Sequence, residues 1–228
     1  MTVNGLLKLT LLDFPGRCAC TVFFCGCNFR CPFCHNATLV RGEGESISED
    51  EFFSFLNKRE GILDGVCITG GEPTLQKGLR DFIKKIKDMG FAVKLDTNGA
   101  RPDVLRDLLN EGLLDYVAMD IKSSPEGYSK AAGCKVDMEK IRESVTMIID
   151  GSTDYEFRTT VATGAVTLSD MEGIGKLIKG AKKYFLQGFV DSGDLIGDGI
   201  SGYTKEEMEE MRRAILPYVP ETQLRGIN

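Results

Sequence analysis

The first residues able to do chemistry are the run Cys25-Gly-Cys-Asn-Phe-Arg-Cys-Pro-Phe-Cys-His-Asn36, in which Cys27, Cys31 and Cys34 form a C-x3-C-x2-C pattern on one short loop. Three thiolates suit an iron–sulfur cube, because four irons held by three cysteines leave one iron open to a small molecule. A structural zinc would need a fourth ligand to close its tetrahedron. His35 follows Cys34 with no spacer, and Cys25-x-Cys27 is tighter than the usual two-residue gap, so both serve that purpose poorly. Buried structural cysteines are the plain alternative. The spacing favours the cluster and leaves the other two readings open.

A second group of chemical residues lies further on. Glu72 follows Val66-Cys-Ile-Thr-Gly-Gly71, Asp96 ends Ala92-Val-Lys-Leu-Asp96, and Asp120 ends Tyr116-Val-Ala-Met-Asp120. Successive acids are 24 residues apart, one strand–helix unit each, which predicts that all three face the same mouth at the carboxyl ends of parallel strands. Three carboxylates gathered there need a cation, a ligand amine or protons. Gly70 and Gly71 would let backbone approach a ligand closely, or simply make a strand-to-helix turn. Lys122 is either part of the mouth or a solvated surface lysine. Arg158 interrupts an otherwise apolar strand, pointing either into the mouth or outward at an edge.

Positioning these groups requires strands that end beside loops. Short apolar runs at 20–25, 65–70, 92–97, 116–122, 155–161 and 184–189 read as strands, alternating with segments of helical period, the pattern of a parallel α/β protein. Ser48-x-x-Glu51 is a capping box opening a helix with Phe52, Phe55 and Leu56 on one face. Leu79, Phe82, Ile83 and Ile86 carry the next, stopped at Gly90; Pro102 opens a third with Leu105, Leu108 and Leu109. Ile141, Val145 and Ile148 mark a fourth, and Ile174, Leu177 and Ile178 a fifth. Thr204-x-x-Glu207 caps the last, which Pro217 ends. Six strand–helix units are too few for a complete eight-unit barrel, so an open sheet or a partial barrel is implied.

Composition sets the outer limits. At 228 residues the chain reads as one domain spanning 1–228, with 42% hydrophobic and 27% charged residues. A net charge of −6 gives no general attraction to phosphate backbones, so no nucleic-acid partner is expected. No apolar stretch approaches the length of a membrane span and the N-terminus lacks a signal-peptide pattern, which predicts a cytoplasmic protein with no membrane association. In that reducing compartment the eight cysteines are thiols or metal ligands. Cys20 and Cys67, inside apolar runs, read as small buried hydrophobes. Cys18 and Cys134 also lie outside the triad, and Cys25 has no evident role.

The cysteine spacing resembles the radical S-adenosylmethionine superfamily. Asp13-Phe-Pro-Gly16, Phe23-Phe24-Cys25-Gly-Cys27-Asn, Cys34-His-Asn36 and Gly70-Gly71-Glu72-Pro73 together are similar to its glycyl-radical-enzyme activases, those of pyruvate formate-lyase and of anaerobic ribonucleotide reductase. The resemblance covers nearly the whole chain and implies a partial (β/α)6 TIM-type barrel. It implies a [4Fe–4S] cluster on Cys27, Cys31 and Cys34, and S-adenosylmethionine bordered by Phe33, His35, Gly70, Gly71, Glu72, Asp96, Thr97, Asn98, Asp120, Lys122, Arg158 and Gln187. Asp96, Met119 and Asp120 would hold a monovalent cation, Na+ or K+, beside the ligand carboxylate. The implied partners are a glycyl radical enzyme as protein substrate, met by Asp13 to Gly16, and flavodoxin or ferredoxin as electron donor. The implied reaction is reductive cleavage of S-adenosylmethionine and abstraction of hydrogen from a partner's glycine.

Two features bear on the partner. Pyruvate formate-lyase activases place a histidine near the end of a late strand, where this chain offers Gln187; its one histidine is His35. There is also no second cysteine cluster between Cys34 and Cys67, where some activases carry a ferredoxin-like insertion. The missing late histidine and the short, insertion-free chain favour the ribonucleotide reductase partner; a further departure is Cys25, where the pyruvate formate-lyase activases often have glutamine. A radical enzyme acting on a small molecule such as a deazapurine precursor, an electron-transfer iron–sulfur protein and a zinc-stabilised module are the alternatives. The last two have no use for a row of acids at strand ends.

Overall fold

The computed structural model describes residues 1–43, 46–191 and 193–227. The first half of the chain runs β1 (Thr2–Val3), β2 (Gly5–Thr10), β3 (Ala19–Phe24), α1 (Ala37–Arg41), β4 (Ile47–Ser48), α2 (Glu49–Asn57), β5 (Gly65–Gly70), α3 (Leu79–Asp88), β6 (Ala92–Thr97), α4 (Pro102–Asn110) and β7 (Tyr116–Asp120). The second half runs α5 (Tyr128–Ala131), α6 (Met138–Asp150), β8 (Asp154–Val161), α7 (Met171–Leu177), β9 (Tyr184–Gly188), α8 (Lys205–Ile215) and β10 (Thr222–Arg225). The class is α/β with mostly parallel pairing, as the alternating pattern predicts. Two compact units are described in turn: Met1–Asn28 with Thr38–Thr97 and Asp103–Val117, and Phe29–Ala37 with Asn98–Pro102 and Ala118–Asn228.

In the first unit β3 pairs parallel with β5 and β5 with β6, while β2 lies antiparallel against β3. Strand alternation gives the sheet two different faces. Cys20, Val22 and Phe24 of β3, with Val66 and Ile68 of β5 and Val93 and Leu95 of β6, are all wholly buried. Phe24 meets Phe82 of α3 edge-on at 5.6 Å, and Phe82 stacks on Phe52 of α2 at 5.2 Å. The helices therefore cover this face through the side chains whose period defined them in the sequence. The other face starts apolar, where Phe14, Ala19, Ala92 and Tyr116 form one buried cluster, and then turns polar toward the strand ends. The capping boxes form as read: Ser48 Oγ accepts from Glu51 N and Glu51 answers to Ser48 N, and Thr204 and Glu207 do the same for α8.

The second unit pairs β8, β9 and β10 in parallel. Its helices bury Ile141, Val145 and Ile148 of α6 and Ile174 and Leu177 of α7. Strands β2 and β10 were not expected. In β2 leucines fall at both parities and Leu7 and Leu9 are 46% and 56% exposed, so no buried face is written into the pattern. Strand β10 is only four residues, Thr-Gln-Leu-Arg, with one aliphatic side chain.

Candidate functional site

In the first unit the candidate residues lie where β3 and β5 end. Gly71 N donates to Phe24 O at 2.8 Å, and Glu72 N donates to Gly26 O at 2.8 Å. The backbones of the two loops are thus in contact: a Cβ at Gly71 would sit 2.0 Å from Gly26 O. Gly70 holds φ +119°, a left-handed conformation that a side chain would strain. Glu72, 1% exposed, turns inward: its Oε1 accepts from Thr74 N at 3.1 Å, Thr74 Oγ1 at 2.6 Å and Thr97 Oγ1 at 2.8 Å. The Glu72 carboxylate thus clamps the turn after β5 to Thr97 at the end of β6. Cys25, on the same loop as Cys27, is tied by Asn4 Oδ1 to its N–H at 3.0 Å and by Gln76 Nε2 to its carbonyl at 2.7 Å, which fixes the approach to the cluster loop.

Asp96 lies on the polar face and is held on three sides. The Lys94 ammonium forms a short ion pair with its Oδ1, Thr69 Oγ1 donates to its Oδ2 at 3.2 Å, and Cys67 Sγ lies 3.9 Å from Oδ1. Lys94 also reaches Cys67 Sγ at 3.6 Å. Neither Lys94 nor Thr69 entered the expected site, and Cys67 is more than a small buried hydrophobe. The signal was present in the sequence: Lys94 and Asp96 are two apart on one strand and therefore share a face, so a lysine inside Ala92-Val-Lys-Leu-Asp96 must either pair with the aspartate or break the strand.

In the second unit, the segment carrying Cys31 and Cys34 is pinned by Arg30 N to Ala132 O at 2.8 Å and by Gly197 N to Pro32 O at 2.9 Å. Cys34 N donates to Cys31 O at 3.0 Å, closing a tight turn between the two thiols. Phe33 is buried, and His35 stacks on Phe189 with ring centres 5.3 Å apart. Burial pushes the His35 pKa down, against the opposing pull of Asp191 and with a smaller push in the same direction from Lys122.

Asp120, at the end of β7, is gripped by two cations. Arg158 Nε donates to Oδ1 at 2.9 Å and Lys122 Nζ to Oδ2 at 3.1 Å. Arg158 therefore points inward, with its side chain 14% exposed. Burial raises the Asp120 pKa, but Arg158 and Lys122 outweigh it and bring the carboxyl down to about 2. Burial opposes the charge on Lys122, yet Asp120 and the neighbouring Cys31 hold its pKa above the usual lysine range. Gln187 pairs in register with Thr160, beside the Arg158–Phe185 pair. Met119 is wholly buried, and Asn98 Oδ1 accepts from Ala100 N at 3.0 Å, shaping the turn after β6.

The sequence profile of the radical SAM superfamily matches residues 21–178. The chain belongs to the radical SAM superfamily. This radical SAM enzyme is 31% identical, over 99% of its own length and 96% of the relative's, to a candidate glycyl-radical enzyme activating enzyme of Methanocaldococcus jannaschii. It is 31% identical to the pyruvate formate-lyase-activating enzyme of Clostridium pasteurianum, over 58% of this chain and 57% of that one. Among solved structures, a domain of the pyruvate-formate lyase-activating enzyme from Bacteroides vulgatus superposes with a TM-score of 0.57 at 18% identity, covering 71% of this chain and 99% of that one, a likeness of fold.

Membership implies a [4Fe–4S] cluster and S-adenosylmethionine. The thiols fit the cluster: Cys31 beside the Lys122 ammonium is a site for a thiolate, and the turn joining Cys31 to Cys34 keeps two donors together. The cation expected at Asp96, Met119 and Asp120 fits less well, because both aspartates already carry ion pairs with side chains of their own unit.

Proposed function

We propose that this radical SAM enzyme activates a glycyl radical enzyme by abstracting hydrogen from a backbone glycine, with anaerobic ribonucleoside-triphosphate reductase as its partner. The observation that carries the reading is the match to the M. jannaschii relative over almost the full length of both chains. Asp13-Phe-Pro-Gly16 adds to it. Phe14 is buried as a plug against Tyr116 while Pro15 and Gly16 stay exposed, and the preceding Leu11 and Leu12 are 71% and 89% exposed, a surface suited to an apolar peptide segment. The preference for the reductase rests on Gln187 in place of a late histidine and on the chain lacking a second cysteine cluster after Cys34.

Cys27, Cys31 and Cys34 would hold the cluster, which when bound supplies the electron that cleaves the sulfonium of S-adenosylmethionine. The chain's own residues orient the ligand and exclude water. The Gly70–Gly71 backbone offers close approach, with Glu72 and Thr97 fixing that turn from behind. Phe33 and His35 supply apolar surface beside the cluster loop. Asp120, Lys122 and Arg158 form a charged group of net +1 suited to a carboxylate ligand, Gln187 can hydrogen-bond a ribose hydroxyl, and Asn98 shapes the neighbouring turn. Flavodoxin or ferredoxin is the proposed electron donor.

The test is to mix the reduced, reconstituted protein anaerobically with S-adenosylmethionine and, separately, with ribonucleoside-triphosphate reductase or pyruvate formate-lyase. A glycyl radical in the reductase alone supports the full reading, and one in pyruvate formate-lyase alone reassigns the partner. Consumption of S-adenosylmethionine driven by a small metabolite, with no protein present, overturns the activase reading.

A further inference from the structure

Lys94 is an anomaly in the first unit. It sits mid-strand in β6 with 1% exposure, flanked by Ala92, Val93 and Leu95, all buried. An ammonium at such a position is stable only when paired, and apolar side chains of similar volume would fill the place at least as well, so fold stability alone does not account for it. What the lysine does is specific. Register sets Cys67 of β5 directly opposite Lys94, and alternation puts Thr69 and Asp96 one step further along the same face. The ammonium thus lies against Cys67 Sγ and Asp96 Oδ1, with Thr69 on Oδ2.

The family resemblance sets a monovalent cation at Asp96 to relieve repulsion between that carboxylate and the carboxylate of the ligand. Here a covalently tethered cation already holds Asp96, and a bare Na+ or K+ would have to displace an ion pair that is 2% exposed on the lysine side. We propose that the Lys94 ammonium takes the place of the monovalent cation at Asp96, making S-adenosylmethionine binding independent of Na+ and K+. This rests on the reading of the chain as an S-adenosylmethionine-binding enzyme. Lys94 is a positioning residue, acting through Asp96 rather than by touching the reacting atoms. The tether keeps the charge at an effective concentration that no dissolved salt has to supply.

The experiment measures S-adenosylmethionine affinity of the reconstituted protein at one ionic strength in NaCl, KCl or choline chloride, choline being too large for the site. Wild-type affinity should agree within about twofold in all three salts, and Lys94→Met should bind about tenfold more weakly in choline and recover at least about threefold in KCl or NaCl. A second readout needs no ligand: Na+ or K+ should raise the melting temperature of Lys94→Met relative to choline and leave wild type unmoved. A wild-type affinity or melting temperature that depends on Na+ or K+ overturns the inference, and that arm requires no variant to fold. A Lys94→Met protein that folds and binds as wild type in choline overturns it equally. Failure of wild type to bind S-adenosylmethionine in any salt refutes the proposed function instead, and the ligand-free melting comparison still decides the role of Lys94.

Discussion

Replacing Gly71 by alanine tests how the cluster loop is held. The added Cβ would lie 2.0 Å from Gly26 O and 2.7 Å from Gly26 C, and both are backbone atoms that no rotamer change can move. Relief requires the two loops to separate by about 1 Å, stretching the bonds from Gly71 N to Phe24 O and from Glu72 N to Gly26 O, each now 2.8 Å, past useful length. Two such bonds at about 0.5–1.5 kcal/mol each, with residual strain, give a loss of about 2–4 kcal/mol. At about 2–4 °C per kcal/mol for a chain of this size, the melting midpoint should fall by about 5–15 °C. Because Gly26 immediately precedes Cys27, iron loading should fall as well. Calorimetry on the apo-protein and iron analysis after anaerobic reconstitution are the assays. A Gly71→Ala protein that melts within about 1 °C of wild type and still loads about four irons would refute the contact as the cause.

Cys31→Ala should abolish cluster assembly, whereas wild type should hold about four irons per chain; a stable content near eight, with a second cubane seen by spectroscopy, would contradict the single triad. Asp120 titrates at about 2 against an ordinary 3.8, so its ion pairs stabilise the fold fully above about pH 4 and lose that contribution as pH falls toward 2. With the side chain 32% exposed the contribution is about 1–2 kcal/mol. Arg158→Met should move the Asp120 carboxyl resonance to a higher midpoint in carbon-13 NMR, and an unmoved midpoint would show that the pair carries no weight. Leu12→Ser, at a residue 89% exposed, should leave stability within about 0.5 kcal/mol yet slow radical transfer to the protein partner severalfold, with S-adenosylmethionine binding unchanged. Equal transfer rates would remove Leu12 from the docking surface.

The sequence carried those parts of the fold that have a buried face and a sharp end. The helices of Phe52, Phe82 and Ile141 lie where their period placed them, because each stripe is buried and the capping boxes at Ser48 and Thr204 fix two of the starts. Strand β2 escaped because its leucines fall at both parities, with Leu7 and Leu9 exposed, and leave no alternation to read. Spacing marked Asp96 and Asp120 as strand-end acids, but it could not tell which cations hold them. Arg158 was visible as a charge in an apolar strand, while Lys94 stood two positions before Asp96 and passed as part of the strand. At Glu72 a motif identifies the turn, while the carboxylate's hydrogen bonds to Thr74 and Thr97 follow from no spacing rule.

Electron paramagnetic resonance of the anaerobic mixture of reduced enzyme, S-adenosylmethionine and anaerobic ribonucleoside-triphosphate reductase bears most directly on the proposed activity. The predicted result is a glycyl radical in the partner, accumulating with about one 5′-deoxyadenosine per radical and absent when Cys31→Ala replaces wild type. No glycyl radical in any protein partner, together with deuterium passing from a small metabolite into 5′-deoxyadenosine, would contradict it.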